Sequence, residues 1–397
     1  MNFYWGSGSK SKRSNLKEDM MAGMSRLLTF MVVGLLGMGF AGTALAQDGG
    51  GGGMMPEVHT NLYATLEFEN FGNTDSAFDA RNIELLVNGR MGPRLTGSAE
   101  IEFERAKAVG EDAGAVEVEQ GWVQYEIIPL INVRTGVILV PFGKFNLTHF
   151  DPFRDLTDRP IMARRVIPTT WAEAGAGVVG SFYPTDNSVV DYQVYVVNGL
   201  TDMISDKGFR DARGSFGEDN NNNKAVVGRL SATLDRSEVG VSGYRGAYDR
   251  DGNQVTGYDV DGMIVVGSLE ILGEGAIFSV EQDGLALPED LMGYYVQANY
   301  HFWFDFLNQT FMGRQFDDPT FTLSVRHGAV KILDDGDGAG LGETNNRETR
   351  TTVGLNYRPT ETYVFKVEFQ SNDMRTGGEA LERGHNDGVI GSVTAAF

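Results

Sequence analysis

Cysteine is absent from this chain of 397 residues, which excludes a disulfide scaffold and a thiolate metal centre. Positive charge is scarce: 33 Lys and Arg stand against 54 Asp and Glu, whereas a nucleic-acid partner needs a basic surface. No segment has the length and 3.6-residue period of a long amphipathic helix. Catalytic signatures are missing as well. With no G-x-S-x-G elbow and no H-E-x-x-H pair, neither His149 beside Asp151 nor Ser181 is expected to be catalytic. The acidic runs 334–338 and 249–253 hint at calcium. The first lacks an oxygen side chain at the fifth loop position (Ala339) and a bidentate Glu at the twelfth (Asn346), so no metal or other cofactor is expected.

Only one long hydrophobic run is present, residues 27–40, preceded by Arg26 and followed by Ala44-Leu45-Ala46. At 14 residues it falls short of the ~20 needed to span a bilayer as a helix, and its flanks are those of a secretory signal peptide. Residues 1–46 are therefore set apart as a signal with an N-terminal extension, and 47–57 as a Gly-rich tether. The remaining chain from 47 carries 28 Lys and Arg against 52 Asp and Glu, a charge of -24.

What the sequence does have is glycine (52 residues), aromatic side chains (11%) and a low mean hydropathy of -0.22. That combination suits a soluble all-β protein or a membrane barrel, where only alternate strand residues are apolar. Residues 130–140 show the period clearly. Ile131, Val133, Thr135, Val137 and Leu139 fall on one face, and Asn132, Arg134 and Gly136 on the other. Similar segments are predicted at 58–68, 81–91, 95–104, 116–127, 174–183, 189–198, 225–234, 238–248, 254–266, 268–282, 293–304, 320–332, 349–358, 362–371 and 388–397. In 116–127 the phase changes, which a bulge near Gly121 reconciles. The fold class read from this series is all-β: a transmembrane antiparallel barrel of about 16 strands over 58–397.

Connection lengths support the barrel over a soluble sandwich. Short turns alternate with longer polar loops at 70–79, 105–115, 141–173, 199–224, 283–290, 333–347 and 372–387. The long 305–319 and the short 250–253 break this alternation. Counted in order, 141–173 is the third long loop, and a structureless stretch of that size is normally functional. It carries Lys144, Arg154, Arg159, Arg164 and Arg165 among Asp151, Asp155, Asp158 and Glu173. Two roles fit these charges. Loop cations face wall carboxylates such as Glu100 and Glu102 across a pore, with Arg134 also on the wall. Otherwise pairs such as Arg154 with Asp158 only hold the loop in shape.

At Arg134-Thr135-Gly136 and Pro141-Phe142-Gly143 the chain resembles outer-membrane porins of the phosphate-selective O and P type. The likeness recurs at Val197-Asn198-Gly199-Leu200, Asp219-Asn220, Gly228-Arg229, Gly240-Val241-Ser242-Gly243 and the terminal strand ending at Phe397. The resemblance implies a 16-stranded barrel in the bacterial outer-membrane bilayer, commonly a homotrimer, with the third extracellular loop folded inward as a constriction. It also implies recognition of the terminal Phe by insertion machinery. The expected function is passive diffusion of small hydrophilic solutes or ions without enzymatic activity, the alternatives being a solute-specific uptake channel, for phosphate or another anion, and a plugged structural or surface-recognition barrel. One departure is evident: Glu67, Glu100, Glu102, Glu104, Asp259, Asp261 and Glu368 occupy lumen-phase positions where phosphate-selective members are expected to carry Lys and Arg.

Overall fold

The structure is a computed structural model that describes residues 56–72, 74–105, 114–205, 207–214, 216–281, 287–333, 346–376, 379–380 and 386–397. Residues 1–46, read above as a signal peptide, most of the expected tether at 47–57 and the acidic run at 334–338 lie outside the described residues.

Fifteen strands follow one another: β1 (Glu57–Phe71), β2 (Ala77–Met91), β3 (Leu95–Glu104), β4 (Ala115–Ile128), β5 (Ile131–Leu139), β6 (Ala172–Thr185), β7 (Ser188–Val197), β8 (Ala225–Leu234), β9 (Ser237–Ala247), β10 (Gln254–Val266), β11 (Leu269–Val280), β12 (Asp290–Phe302), β13 (Thr320–Leu333), β14 (Asn346–Thr360) and β15 (Tyr363–Thr376). A closing strand, Gly388–Ala396, pairs antiparallel with both β15 and β1, so the sheet of sixteen closes on itself. Residues Glu379–Ala380 add a short ladder to the end of β15. Closure leaves no sheet edge, which is what lets strands cross hydrocarbon with every backbone group paired.

The predicted strand faces are correct. Val194 and Val196, Val239 and Val241, Tyr258 and Val260, and Tyr294 and Val296 point outward and are exposed, while Glu67, Asp259, Asp261 and Glu368 point inward and are buried. The bulge in β4 falls at Glu119, two residues before the expected position. Glu100 pairs with Gln120 and Ile101 with Val118, leaving Glu119 as the extra residue. Strands β2, β14 and β15 run past their predicted ends, because a ladder continues wherever its backbone finds a partner, whatever the side-chain alternation.

Both connections that broke the alternation have local causes. In 305–319 a 3-10 helix, Asp305–Gln309, folds back so that Trp303 and Met312 pack on Phe321, Tyr357, Phe365 and Val393. Val353 and Leu355, on the same face as Tyr357, are exposed, so this connection lies against the outside of the wall. At 250–253 the hairpin needs no longer loop, because Asp249 closes the turn itself. Its carboxylate accepts the backbone N–H of Gly252 and Asn253, at 2.9 Å each. Those oxygens are structural acceptors, and this accounts for the acidic run that hinted at calcium.

Candidate functional site: the inward loop

The third long loop enters the barrel between β5 and β6, and its neck is fixed by one side chain. Asn146, fully buried, donates to the carbonyls of Val140 (2.8 Å) and Trp171 (3.0 Å) and accepts the Trp171 N–H (2.8 Å). Val140 N–H also donates to Trp171 O at 2.9 Å. One side of the loop is apolar. Phe142, Phe145, Met162, Val166, Ile167 and Trp171 pack on inward residues of the wall, among them Tyr244, Phe278, Tyr295 and Val330. Phe142 lies 4.7 Å from Phe278 and Trp171 lies 5.0 Å from Tyr244, centroid to centroid.

The polar side crosses the lumen to the far wall. Thr157 N–H and Asp158 N–H donate to Glu368 on β15 at 2.7 and 3.2 Å, and the Thr157 hydroxyl meets Ser392 on the closing strand at 2.7 Å. Lys366 Nζ donates to Asp151 O at 2.7 Å, and Asn356 Nδ2 to Asp155 at 2.9 Å. Asp158 is the hub. It accepts from Arg164, Arg350 and Gln370, while its carbonyl accepts from Arg326 at 2.8 Å. Burial alone raises its pKa, but Arg164, Arg350 and Arg326 more than reverse this and hold the carboxyl well below the usual carboxylate range.

The residues predicted to form the constriction separate into distinct roles. Lys144 is tied to Glu238 on β9 at 2.7 Å, and with Arg134 it borders a polar recess of about 300 Å³ beneath the loop. Arg134 donates to Gln124 at 2.7 Å and lies 4.0 Å above the Trp122 ring. Arg154 pairs with Asp151, three residues away, and not with Asp158 as the sequence spacing implied. Arg165 pairs with Glu348 on β14 at 3.3 Å. Glu100 does not face an arginine across open space. It is fully buried, bound by Gln120 at 2.6 Å, with the His149 ring 3.5 Å away. Glu102 accepts from Asn82 at 3.0 Å.

Arg164 is 43% exposed although it pairs with Asp158, and Arg159 forms no ion pair among the described residues and donates to the Thr169 carbonyl at 2.9 Å; two arginines that sequence reading missed join them. From the fourth long loop, Arg210 and Arg213 donate to the carbonyls of Thr169 (3.4 Å) and Thr170 (2.8 Å). Arg159 and Arg210 share the Thr169 carbonyl, with Arg213 on the next one, and burial, then the like charges of Arg213, Arg159 and Arg164, lower the Arg210 guanidinium below its usual value. Glu119 on the adjacent wall accepts from Thr170 at 2.7 Å and borders the same recess as Arg210 and Arg213, and Glu102 is buried on the neighbouring strand. Nothing in the 210–213 spacing marks these residues, since only the docking of one loop on another brings them beside the third loop. Their recess at the rim, about 470 Å³, is also bordered by Glu117, Glu119 and Thr170.

Behind the loop lies a cluster that the sequence reading also missed. His149 Nε2 is 2.7 Å from Glu119 and 3.5 Å from Glu100, with Glu84 beside them. Burial opposes a charge on His149, but Glu119 and Glu100 outweigh it and raise the imidazole to about 9.

No protein-family model matches this chain. In sequence it is 27% identical over 270 residues to an uncharacterized protein of Aquifex aeolicus (strain VF5), an alignment spanning 60% of this chain and 60% of that relative's length. In fold it is similar to OmpF of Salmonella typhi in complex with daunomycin, with a TM-score of 0.57 and 11% identity over 86% of this chain and 97% of that one. A loop-L8 deletion variant of OmpT, an outer membrane protein of Vibrio cholerae, gives 0.56 and 12% over 86% and 99%. The anion-selective porin of Comamonas acidovorans gives 0.54 and 10% over 86% and 100%. At these identities the likeness is one of fold, and the fold is that of a 16-stranded porin-type barrel.

Proposed function

We propose that this chain is an outer-membrane channel through which small hydrophilic solutes or ions diffuse passively, with no chemical step, past the inward third loop. One observation carries the reading. A loop anchored on both sides of the lumen carries Arg164, 43% exposed, and Arg159, and is joined at Thr169 and Thr170 by Arg210 and Arg213, inside a wall whose lumen phase is acidic. Fixed opposed charges at a narrow aqueous passage set ion preference without catalysis. The remaining cations of the loop are neutralised by local partners and hold its shape. Within the porin class we retain the resemblance to the phosphate-selective type for architecture and homotrimeric assembly. The acidic lumen speaks against phosphate as the solute.

Single-channel recording of the refolded protein in KCl tests this. A defined conductance is expected, and the double variant Arg159→Ala/Arg164→Ala is expected to shift the reversal potential toward cation selectivity. Replacing Arg165, which is less exposed than Arg164 and held against Glu348 on β14, is expected to do little. Unchanged selectivity in the double variant removes those arginines from the filter. A wild type without conductance makes this a plugged barrel with a recognition or structural role. A second reading, a solute-specific anion channel, is favoured by the four gathered arginines. It predicts saturable block of the current by its anion, with inorganic phosphate as the first probe.

A further inference from the structure

We propose that Glu84, Glu100, Glu119 and His149 form a buried site for one divalent first-row transition-metal ion, which staples the third loop to β2, β3 and β4. One ligand atom from each residue lies within 4.8 Å of all the others. Ligands at ~2.0–2.2 Å from a single ion stand at most about 4.4 Å apart, so small side-chain adjustments close the shell. All four side chains are 3% exposed or less. Glu84 Oε1 and Glu100 Oε1 have no hydrogen-bond partner, although buried carboxylate oxygens are expensive to leave unpaired. Among the described residues no Lys or Arg forms an ion pair with any of the three carboxylates. A protonated His149 is therefore the one positive charge beside three carboxylates, and a divalent ion would offset the rest.

The surrounding groups are those that orient metal ligands. His149 Nδ1 lies 3.1 Å from the Asn146 carbonyl and keeps its N–H there, so the Nε2 proton that Glu119 accepts at 2.7 Å is the one an incoming ion would displace. Thr170 donates to Glu119 at 2.7 Å, Gln120 to Glu100 at 2.6 Å, and Tyr63 to the second oxygen of Glu84. The bulge in β4 is what turns Glu119 into the group. An imidazole among carboxylates suits zinc- or manganese-class ions better than calcium, which prefers oxygen alone. A second group, Asp155, Glu270 and His301, offers a contrast. It is only half-buried, and each side chain already has a partner: Asn356, Asn299 and Thr322 respectively.

The test counts metal and does not depend on conduction, so a silent barrel can still hold the ion and a conducting one can still lack it. The full chain is refolded in detergent with Zn²⁺, Mn²⁺ or Ca²⁺, dialysed against metal-free buffer and analysed by mass spectrometry for metal. About one Zn²⁺ or Mn²⁺ per chain is expected, with loss in His149→Ala and Glu100→Gln and retention in His301→Ala. Each variant is first checked for the heat-modifiable gel migration of a folded barrel. If His149→Ala does not fold, Glu84→Gln and the d–d absorption of Co²⁺-loaded wild type take its place, and an absent Co²⁺ spectrum overturns the site. No retained ion, equal retention in the ligand variants, or preference for Ca²⁺ also overturns it and leaves a proton-held ion pair.

Discussion

Asp158 connects the loop to three strands at once, through Arg326 on β13, Arg350 on β14 and Gln370 on β15. Its depressed pKa gives the sign of a pH effect. The stabilisation is present above the unfolded value of about 4 and is lost only as pH falls through the lower folded value. Conductance is therefore expected to hold steady from pH 7 to about 4 and to become noisy only in stronger acid. Asp158→Asn removes the nearer of two carboxylates from part-buried Arg350, leaving Glu348 at 3.8 Å, at a cost of about 1–3 kcal/mol, so its current is expected to be noisy already at pH 7. A quiet Asp158→Asn channel argues against this hub. Asn146→Ala leaves the Trp171 N–H without an acceptor, costing about 1–3 kcal/mol, and is expected to expose loop arginines to trypsin. Resistance equal to wild type places the strength of the neck elsewhere.

At the scale of elements, the strands are regular and the departures from regularity carry the function. Gly136 on β5 illustrates how tightly the wall is built: φ is +133°, and a Cβ there meets Gly121 O at 2.3 Å across the β4–β5 ladder. Gly136→Val is expected to cost on the order of 1–3 kcal/mol and lower the yield of heat-modifiable barrel. Wild-type yield removes that constraint. The 305–319 connection shows the reverse case, a long segment at the turn end that covers outward aromatics. Rings of Trp303 and Phe321 stand 5.5 Å apart, with Tyr357 5.2 Å beyond and Phe365 a further 6.2 Å.

For the whole molecule, a belt of exposed apolar side chains runs round the barrel, with Val178, Leu230, Ile264, Ile277, Leu323 and Leu355 among them. A surface of that extent is stable against lipid and not against water, so the protein is expected to aggregate once detergent is removed. A monodisperse protein without detergent excludes a bilayer-spanning barrel. Crosslinking in detergent is expected to give a ladder ending at three chains, and a ladder ending at one or two excludes the trimer.

The wall was legible in the sequence because a period of two is a local property. Val133 and Arg134 cannot share a face, whatever surrounds them. The inner loop was legible only as an interruption. A signal for its packing was present: Val255, Phe278, Leu291 and Val330 are apolar on the lumen phase, where a water-filled barrel carries polar groups. The partners of each charge were not legible. Arg154 takes Asp151 and Arg165 takes Glu348, because which ions meet depends on how the loop lies against strands up to 183 residues away. His149 and the three glutamates come from four separate segments, so no spacing announces them. The sequence determined strand number, faces and the identity of the inserted loop, since each follows from neighbours along the chain. Only the closed barrel decided which arginines face water and which carboxylates are buried, since those outcomes depend on distances across its interior.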